Sequence, residues 1–484
     1  TGLAAADRLL DLGGCDVTVL EAEPDVGGLA STVALDDVAT DIGPHRIHTE
    51  LPEVQDLLPE LLGDRLVRVE RSSRMLLDGR WISYPLRLGE TVCSLGWRKA
   101  ARFAAAMVAT RIGELVLPSR KITFEDALRS RFGSAACEAV FRPYAQKVWR
   151  RPPSQLSAEV ARVRLPEQGV LAVLARLFSR SRKPRTGPLR EFLYVRGGIG
   201  ELSKQLAERI HQRGGRIFLQ TRATGFELSD RSDRSDRSDA SDRSDRSDFQ
   251  SRSAPRSIRA VLADQLGKAI SLSADAVIST IPLPTLGEML PASEERAREL
   301  LTSLECLSII LVVLVIKRER VGRDHWLYFP QTPPLPTRVY EPKNFDPSLA
   351  AAGKTCICCE ITATRTEPLW ARSDDEIAAQ VRSEIVATGL VSDGEIVYAH
   401  VIRKDWAYPI YALGFQEKLQ VAWRALVQIP NLVTTGRQGL FNHNNIDHCL
   451  VMGRRAAELV AASDRPATAW YGSLGQFASF RILD

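Results

Sequence analysis

Glycines and a carboxylate near the start of the chain have the types and spacing that suit dinucleotide binding. Glu21 ends a short apolar stretch, and Gly27 and Gly28 follow it. A carboxylate at a strand end can accept both hydroxyls of an adenosine ribose. Glycines let the backbone pass close to a pyrophosphate or a planar ring. Because each feature alone also suits an ordinary strand end or turn, only their combination favours a binding site.

Two histidines flank a stiff turn farther along the chain. The segment Asp41-Ile-Gly-Pro-His-Arg-Ile-His48 places His45 and His48 beside Gly43-Pro44. A single histidine is usually a surface or a satisfied core residue, but these two follow the Glu-x5-Gly-Gly element. We therefore take them as candidates for a binding site. The sequence leaves open whether His45 tunes a bound group or only fills the turn.

Two further glycine segments precede helices. Arg196–Leu202 opens a predicted helix at 203–213, and Gly436-Arg437 leads through a polar loop to a predicted helix at 447–462. The N-terminus of a helix has free N–H groups and a positive dipole, which attract anionic or carbonyl groups. We expect both segments to contribute to binding, with Asp447 at or near the N-cap.

The elements that must position these residues begin with half of a Rossmann unit. Residues 2–12 have helical spacing, Gly13-Gly14 stops that helix, and residues 16–20 form a buried strand ending at Glu21. Helix, tight turn, strand and acid make the second half of a βαβ dinucleotide-binding unit. Gly2 would be the third glycine of the fingerprint. We expect the first strand and first glycines to lie upstream of a truncated chain.

The rest of the chain alternates predicted helices with predicted strands. Helices are predicted at 50–62, 97–116, 123–145 and 374–388, and a hairpin turns at Asp78-Gly79. Strands are predicted at 216–228, 257–263, 274–282, 308–317, 355–362 and 395–402. A Ser-Asp-Arg repeat at 229–248 has nothing apolar to bury, so it predicts a disordered hairpin loop rather than a domain linker. The basic segment 179–190 predicts a mobile loop, with an anionic substrate or lipid as the alternative explanation.

Composition narrows the classes of protein that fit. The 484 residues are 44% apolar and 25% charged, and the net charge of +5 does not indicate nucleic-acid binding. The cysteines lack the paired spacing of a metal site, and Cys356, Cys358 and Cys359 fit a buried strand in a cytoplasmic protein. No apolar run reaches the ~18 residues of a spanning helix. Helix 97–116 is interpreted as a domain helix, with a membrane-surface contact as the alternative.

Together with Glu21 and Gly27-Gly28, the segments Asp41–Pro44, Arg196–Gly198, Ser279–Pro282 and Gly436–Asp447 resemble the FAD-dependent amine oxidase and protoporphyrinogen oxidase superfamily over nearly the whole chain. The resemblance implies an α/β fold, in which a Rossmann-like FAD-binding domain, truncated at its N-terminus, is interleaved with a substrate domain of mixed sheet and helices. The FAD domain would comprise residues 1–70, 190–285 with a disordered insert at 229–256, and 425–484. The substrate domain would comprise 71–189 and 286–424. The implied FAD-binding residues are Gly2, Glu21, Ala22, Gly27, Gly28, Leu29, Gly43, Pro44, His45, Ala223, Thr280, Gly436, Arg437, Asn445, Ile446 and Asp447.

Several segments are most similar to UDP-galactopyranose mutases, namely Gly43–Thr49, Lys147–Leu156, Thr337–Lys343 and Gly436–Asp447. This similarity implies that Trp149 lies at a uridine site and that Arg338 contacts a substrate diphosphate. His45 and Arg437 would be further catalytic residues, and Tyr411 and His443 further substrate contacts. The chain has Phe441 and His443 where those mutases carry tyrosines that help hold the diphosphate, and phenylalanine cannot donate a hydrogen bond. Arg162 and Arg164 are alternative phosphate contacts.

Three hypotheses about function follow. The first is an FAD-dependent oxidoreductase acting on a small organic substrate, and it requires the fewest unobserved residues. The alternative is a mutase-like isomerase that uses reduced FAD on a nucleotide sugar, and the third is a non-catalytic flavoprotein. The expected partner is a small molecule, including an anionic one, and not a nucleic acid. The oligomeric state is not indicated.

Overall fold

Two groups of strands, each assembled from distant segments, organise the molecule. The computed structural model describes residues 1–84, 96–116, 121–165, 191–229, 256–480 and 482. The strands are β1 (Thr18–Leu20), β2 (Thr32–Leu35), β3 (Val38–Asp41), β4 (Leu66–Glu70), β5 (Ser73–Leu77), β6 (Arg80–Ser83), β7 (Glu191–Val195), β8 (Arg216–Phe218), β9 (Thr221–Leu228), β10 (Ile258–Gln265), β11 (Lys268–Ser273), β12 (Val277–Ser279), β13 (Cys306–Ile316), β14 (Trp326–Tyr328), β15 (Arg338–Tyr340), β16 (Thr355–Ala363), β17 (Ile396–Pro409) and β18 (Leu432–Thr434).

Helices surround both groups of strands. They are α1 (Gly2–Leu12), α2 (Pro52–Leu62), α3 (Trp97–Val116), α4 (Phe124–Phe132), α5 (Ser134–Ala136), α6 (Arg142–Trp149), α7 (Glu159–Arg164), α8 (Gly200–Gln212), α9 (Leu283–Met289), α10 (Glu295–Thr302), α11 (Pro368–Ala371), α12 (Asp374–Ala387), α13 (Phe415–Leu426), α14 (Gly436–Gly439), α15 (Ile446–Ala462) and α16 (Pro466–Ser473).

Short parallel strand pairs form the first group. β1 pairs with β8, and β12 pairs with β18, both in parallel. Helix α1 crosses α15 very closely, because a Cβ on Gly453 of α15 would lie only 2.4 Å from the carbonyl oxygen of Thr1. Parallel strands need helices on both faces, and α1, α8 and α15 supply apolar side chains there. The predicted half of a Rossmann unit is therefore present.

A seven-stranded mixed sheet forms the second group, in the order β17-β13-β16-β15-β14-β5-β6. Only the β14–β5 pair within it is parallel. All eleven residues of β13 are buried, which explains the unbroken apolar run in its sequence. Alternate residues such as Val312 pack beneath α12, while their neighbours such as Leu311 face the opposite side with Tyr340. The mixed α/β fold expected from the sequence is confirmed.

Several local predictions are confirmed as well. β5 and β6 form the predicted hairpin, with Asp78 and Gly79 at φ 49° and 74° in its turn. β9 and β10 are antiparallel neighbours, so the segment between them joins two strands of one sheet. Residues 230–255 of the predicted insert lie outside the described residues. The basic segment predicted as a loop at 179–190 lies outside them as well.

Two predicted elements are divided in the structure. The helix predicted at 123–145 breaks at Gly133, whose φ is +79° and where a Cβ would lie 2.7 Å from the backbone nitrogen of Met107. The chain restarts there as α5, one π-helical turn at Cys137–Phe141 and α6. The strand predicted at 216–228 divides at Gln220, which has a φ of +50°, so β8 and β9 belong to different sheets.

Candidate functional site

The carboxyl end of β1 carries the predicted ribose-binding acid. Glu21 is joined to β8 by its N–H, which donates to the carbonyl of Phe218 at 2.9 Å. Its Oε1 accepts the N–H of Glu23, also at 2.9 Å. Burial raises the pKa of Glu21 above its ordinary value. The half-buried carboxylate lies at the strand end, where it can accept the hydroxyls of a ribose.

The two glycines after Glu21 have different structural roles. Gly27 has a φ of +119°, and a Cβ there would lie 2.8 Å from the carbonyl oxygen of Ala30, so Gly27 is required by the turn itself. Gly28 has a φ of +59°, and no atom lies within 4 Å of the Cβ position. Gly28 therefore exposes bare backbone to open space, as the approach of a phosphate or ring would require.

The N–H groups of the glycine loop before α8 donate to acceptors within the protein itself. Asp41 accepts the N–H of Ile199 at 3.0 Å, and Asp346 accepts the N–H of Gly197 at 2.7 Å. A Cβ on Gly198 would lie 2.3 Å from Oγ1 of Thr32. These glycines allow the loop to pack on β2 and β3. Two of the N–H groups that suggested a ligand site in this loop therefore bind carboxylates of the protein itself, and a ligand at this loop stays a prediction.

His45 binds two segments of the predicted flavin turn together. Its Nε2 lies 2.8 Å from the carbonyl oxygen of Leu29 and 3.0 Å from that of Ile42. Since both partners are acceptors, Nε2 carries the proton. Burial lowers the pKa of His45, opposed by the nearby carboxylate of Asp41. A neutral imidazole therefore holds the Gly28–Leu29 backbone against the Gly43-Pro44 turn.

The N-terminus of α15 closes the same region. Asn445 is the N-cap and forms a reciprocal capping pair with His448. Asp447 thus lies inside the first turn rather than at the N-cap, which refines the prediction. Its side chain is buried, yet Oδ1 has no hydrogen-bond partner among the described residues, and the same holds for Oγ of Ser279. Buried polar atoms normally have partners, so these two indicate a polar ligand.

These features suit FAD. The carboxylate of Glu21, the bare backbone of Gly28 and the unpartnered oxygen of Asp447 are the types of group that ribose, pyrophosphate and ribityl hydroxyls need. The remaining predicted contacts lie on the same elements: Gly2 begins α1 and packs near Thr280, Ala22 follows β1, Ala223 is on β9, and Gly436 begins α14.

A row of polar side chains crosses the seven-stranded sheet beside this region. Arg338 on β15 lies directly opposite Tyr328 on β14 and Glu360 on β16. Nη2 of Arg338 donates to Oε2 of Glu360 at 2.7 Å, and the same oxygen would lie 3.7 Å from a Cβ on Gly43. Although burial opposes its charge, Glu360 holds the pKa of Arg338 well above the usual range. Nε of Arg338 is buried without a partner among the described residues.

Two more guanidinium groups converge on one tyrosine ring. The Cζ atoms of Arg164 and Arg437 lie 5.2 Å and 5.3 Å from the ring centroid of Tyr408. Arg164 and Arg437 therefore bring two positive charges to this corner of the molecule. Arg338, on β15, faces the acid Glu360.

An aromatic group completes the corner. His443 lies edge-on to the predicted substrate residue Trp149, with 5.2 Å between their ring centroids, and its Nδ1 is 3.1 Å from Nη2 of Arg164. Its backbone N–H donates to the hydroxyl of Tyr411 at 3.1 Å. Burial, aided by Arg164 and Arg437, lowers the pKa of His443 well below its ordinary value. Hence His443 is neutral and accepts a hydrogen bond from Arg164.

Arg437 is partly committed to the backbone. Its Nη2 and Nε donate to the carbonyl oxygen of Asn444 at 2.6 Å and 3.2 Å. These bonds hold the loop between α14 and α15 in place. A cavity of about 190 Å³ lies beside that loop and is bordered by Tyr411 and His443. The role predicted for Arg437 in catalysis stays a prediction, and the geometry adds a role in shaping the loop.

The structure thus places Trp149, Tyr411, His443 and Arg437 in one region, and Arg338 on the sheet against Glu360. The roles that the resemblance implies for these residues stay predictions. Sequence reasoning missed Glu360, Tyr328 and Tyr408 as site residues. Glu360 had one usable signal, since it is the only charged residue inside the apolar strand Thr355–Ala363. Tyr328 had none, because only strand pairing brings it opposite Arg338. Tyr408 had none either, because only the tertiary fold brings Arg164 and Arg437 to its ring.

Comparisons with known proteins show the family and the fold. A family model described as flavin containing amine oxidoreductase matches residues 1–461. Among solved structures, a reduced UDP-galactopyranose mutase is 19% identical, with a TM-score of 0.80 over 100% of this chain and 96% of its own. A putative protoporphyrinogen oxidase from Exiguobacterium sp. 255-15 is 18% identical, with a TM-score of 0.65 over 94% and 95%. Putrescine oxidase bound to putrescine is 17% identical, with a TM-score of 0.58 over 95% and 96%. The chain belongs to the flavin-containing amine oxidoreductase family, whose members bind FAD.

Proposed function

We propose that this flavoprotein acts on an anionic substrate and that its reaction is an isomerisation of a nucleotide sugar, as in UDP-galactopyranose mutases. The observation that carries the proposal is the convergence of Arg164 and Arg437 on the ring of Tyr408, together with the buried, unpartnered Nε of Arg338. A protonated amine entering this corner would meet net positive charge. A diphosphate would instead neutralise it, because arginine binds phosphate oxygens through two parallel N–H bonds.

Different residues would bind the two ends of the substrate. Arg338 has a free buried Nε beside the Gly43 turn, so it is suited to a phosphate oxygen near the cofactor. The Cζ atom of Arg164 lies 5.8 Å from the ring centroid of buried Trp149, so this ring would border a nucleobase site, and neutral His443 can share a hydrogen bond without adding charge. FAD, when bound, supplies the electron-rich centre that the chemistry of this family needs. The protein residues orient the substrate and exclude water.

Similarity of fold supports the same choice. The TM-score with the mutase is 0.80, against 0.58 with putrescine oxidase, whose substrate carries positive charge. Phe441 counts against a diphosphate contact at its own position, because its ring is buried in the core, 6.2 Å from that of Phe415, and cannot donate a hydrogen bond.

A second candidate is oxidation of an anionic carbon donor such as a porphyrinogen, whose carboxylates would also suit the arginines. The specific observation in its favour is His443, which occupies the substrate corner where the mutases carry a tyrosine that binds diphosphate. The fold also resembles that of a putative protoporphyrinogen oxidase, with a TM-score of 0.65.

One experiment separates the two candidates. The purified holoprotein, with bound flavin checked by its absorbance, is reduced anaerobically with dithionite and mixed with UDP-galactofuranose, and the nucleotides are separated by HPLC. A UDP-galactopyranose peak that requires reduction supports the mutase function. Arg338→Met should lower the rate at which the peak forms by about 10- to 150-fold with flavin retained. Arg382→Met is the matched control, since Arg382 pairs with Asp393 on the surface. No conversion, together with turnover of protoporphyrinogen under air, would refute the mutase proposal in favour of oxidation.

A further inference from the structure

Helix α3 presents an apolar face to solvent. Four large apolar side chains on it are strongly exposed: Trp97 by 70%, Val108 by 54%, Ile112 by 56% and Val116 by 77%. Residues at a spacing of four lie above one another on a helix, so the last three form one stripe. Small residues widen the stripe, and these exposed positions are Ala101, Ala104, Ala105, Ala109 and Gly113.

Positive charge lies at one end of this face and negative charge is absent from it. Among the described side chains of α3, the other exposed residues are Arg98, Lys99 and Arg102. Lys99 pairs with Asp78, whereas Arg98 and Arg102 form no ion pair with any described residue. The acid of this helix, Glu114, turns inward and pairs with Arg111. The exposed side is therefore apolar along its length and cationic at its N-terminal end.

The opposite side of α3 is already in use. The backbone of Met107 approaches the turn at Gly133 so closely that a Cβ there would lie 2.7 Å from it. Thr110 turns its hydroxyl back to the carbonyl of Ala106 at 2.8 Å. The helix is therefore held against α4 and α5 by one side. Its other side, which is exposed, does not pack against any of the described elements.

We propose that the outer face of α3 docks on the surface of a lipid bilayer that contains anionic headgroups. A helix that lies in the bilayer interface needs an apolar side that enters the acyl region and cationic side chains that reach the headgroups. Trp97 stands at the cationic end, and tryptophan favours the headgroup level of a membrane. None of the helices in the described part of the chain has the length and hydropathy of a membrane span.

Charge complementarity selects this partner over a second copy of the chain. Two α3 faces packed on each other would bring Arg98 and Arg102 into contact with apolar residues or with the same arginines. Like charges and buried unpaired charges both oppose such an interface. An anionic lipid surface instead pairs the arginines and buries the apolar stripe together. The inference does not depend on which reaction the flavin site performs.

Vesicle flotation with the full-length holoprotein tests this proposal. Vesicles of phosphatidylcholine alone are compared with vesicles that also contain phosphatidylglycerol. We expect the protein to float with the anionic vesicles and to be released by salt. Ile112→Glu should lower the partition coefficient by about tenfold or more, as loss of one large buried aliphatic side chain implies. Arg98→Gln with Arg102→Gln should lower it by about 25-fold, at about fivefold for each charge near the surface.

Two controls keep the result decisive. Val397→Glu changes an apolar residue that is 51% exposed on β17, so it should leave flotation unchanged. Retained flavin absorbance shows that each variant is folded. Flotation of Ile112→Glu equal to that of the unchanged protein would overturn the proposal. It would also be overturned by a dimer in light scattering that Ile112→Glu dissociates without any vesicle binding, since the face would then join two copies.

Discussion

Replacing Arg338 and Glu360 together isolates what the guanidinium does for the substrate. Arg338→Met alone removes the substrate contact, but it also leaves the buried carboxylate of Glu360 without its partner at 2.7 Å. Breaking a buried pair in this way costs roughly 3–5 kcal/mol of folding stability. Arg338→Met with Glu360→Gln removes both charges, so the second substitution should restore most of that stability.

The substrate contribution should not return with the stability. A hydrogen bond from a charged donor contributes about 1.5–3 kcal/mol, which corresponds to a loss of about 10- to 150-fold in kcat/KM. We therefore expect the double variant to unfold at nearly the temperature of the unchanged protein while kcat/KM for UDP-galactofuranose stays low. Glu360→Gln alone should retain Arg338 and keep most of the activity.

The assay pairs HPLC of the nucleotides, under dithionite, with thermal unfolding followed by flavin fluorescence. The informative comparison is between the single variant Arg338→Met and the double variant. Recovery of both stability and kcat/KM in the double variant would refute the reasoning, because Arg338 would then serve only to neutralise Glu360. Recovery of stability alone supports a direct contact between Arg338 and the anionic substrate.

Four further outcomes follow from the site and its supports. His443→Gln should make the free energy of unfolding less dependent on pH. The pKa of His443 is lowered on folding, so the unfolded chain binds a proton below about pH 6.5 and is favoured there. Removing the group should reduce the slope of unfolding free energy against pH by up to ~1.4 kcal/mol per pH unit. Lys147→Met should lower the midpoint temperature of unfolding, because Nζ of Lys147 donates to three carbonyl oxygens at 2.5–2.8 Å. A buried carbonyl left without a donor costs about 1–3 kcal/mol of folding stability. Lys204→Met on the surface is the control. Asp447→Ala should weaken flavin retention on gel filtration without lowering the helix content measured by circular dichroism, and equal retention would argue against a ligand at Oδ1. Gly198→Ala should reduce the yield of folded protein, because its Cβ would lie 2.3 Å from a side-chain oxygen, and normal yield would contradict that geometry.

Much of the fold could be predicted from local patterns. The helix at 2–12, the strand ending at Glu21 and the Asp78-Gly79 hairpin each follow from periodicity or from turn chemistry within a few residues. The long helix predicted at 123–145 failed for a physical reason that no local pattern contains. Its break at Gly133 is required by the close approach of Met107, which belongs to a helix earlier in the chain.

The candidate site divides in the same way. Motif resemblance singled out Arg338, His45 and Trp149, because glycine turns and charged residues keep recognisable spacing along the chain. Tertiary structure alone decided that Tyr408 lies between the arginines and that Glu360 neutralises Arg338. It also decided that the imidazole of His45 holds two backbone segments together. The physical reason is that charge balance and hydrogen-bond partners depend on distances across strands and loops, and residues far apart in sequence set those distances.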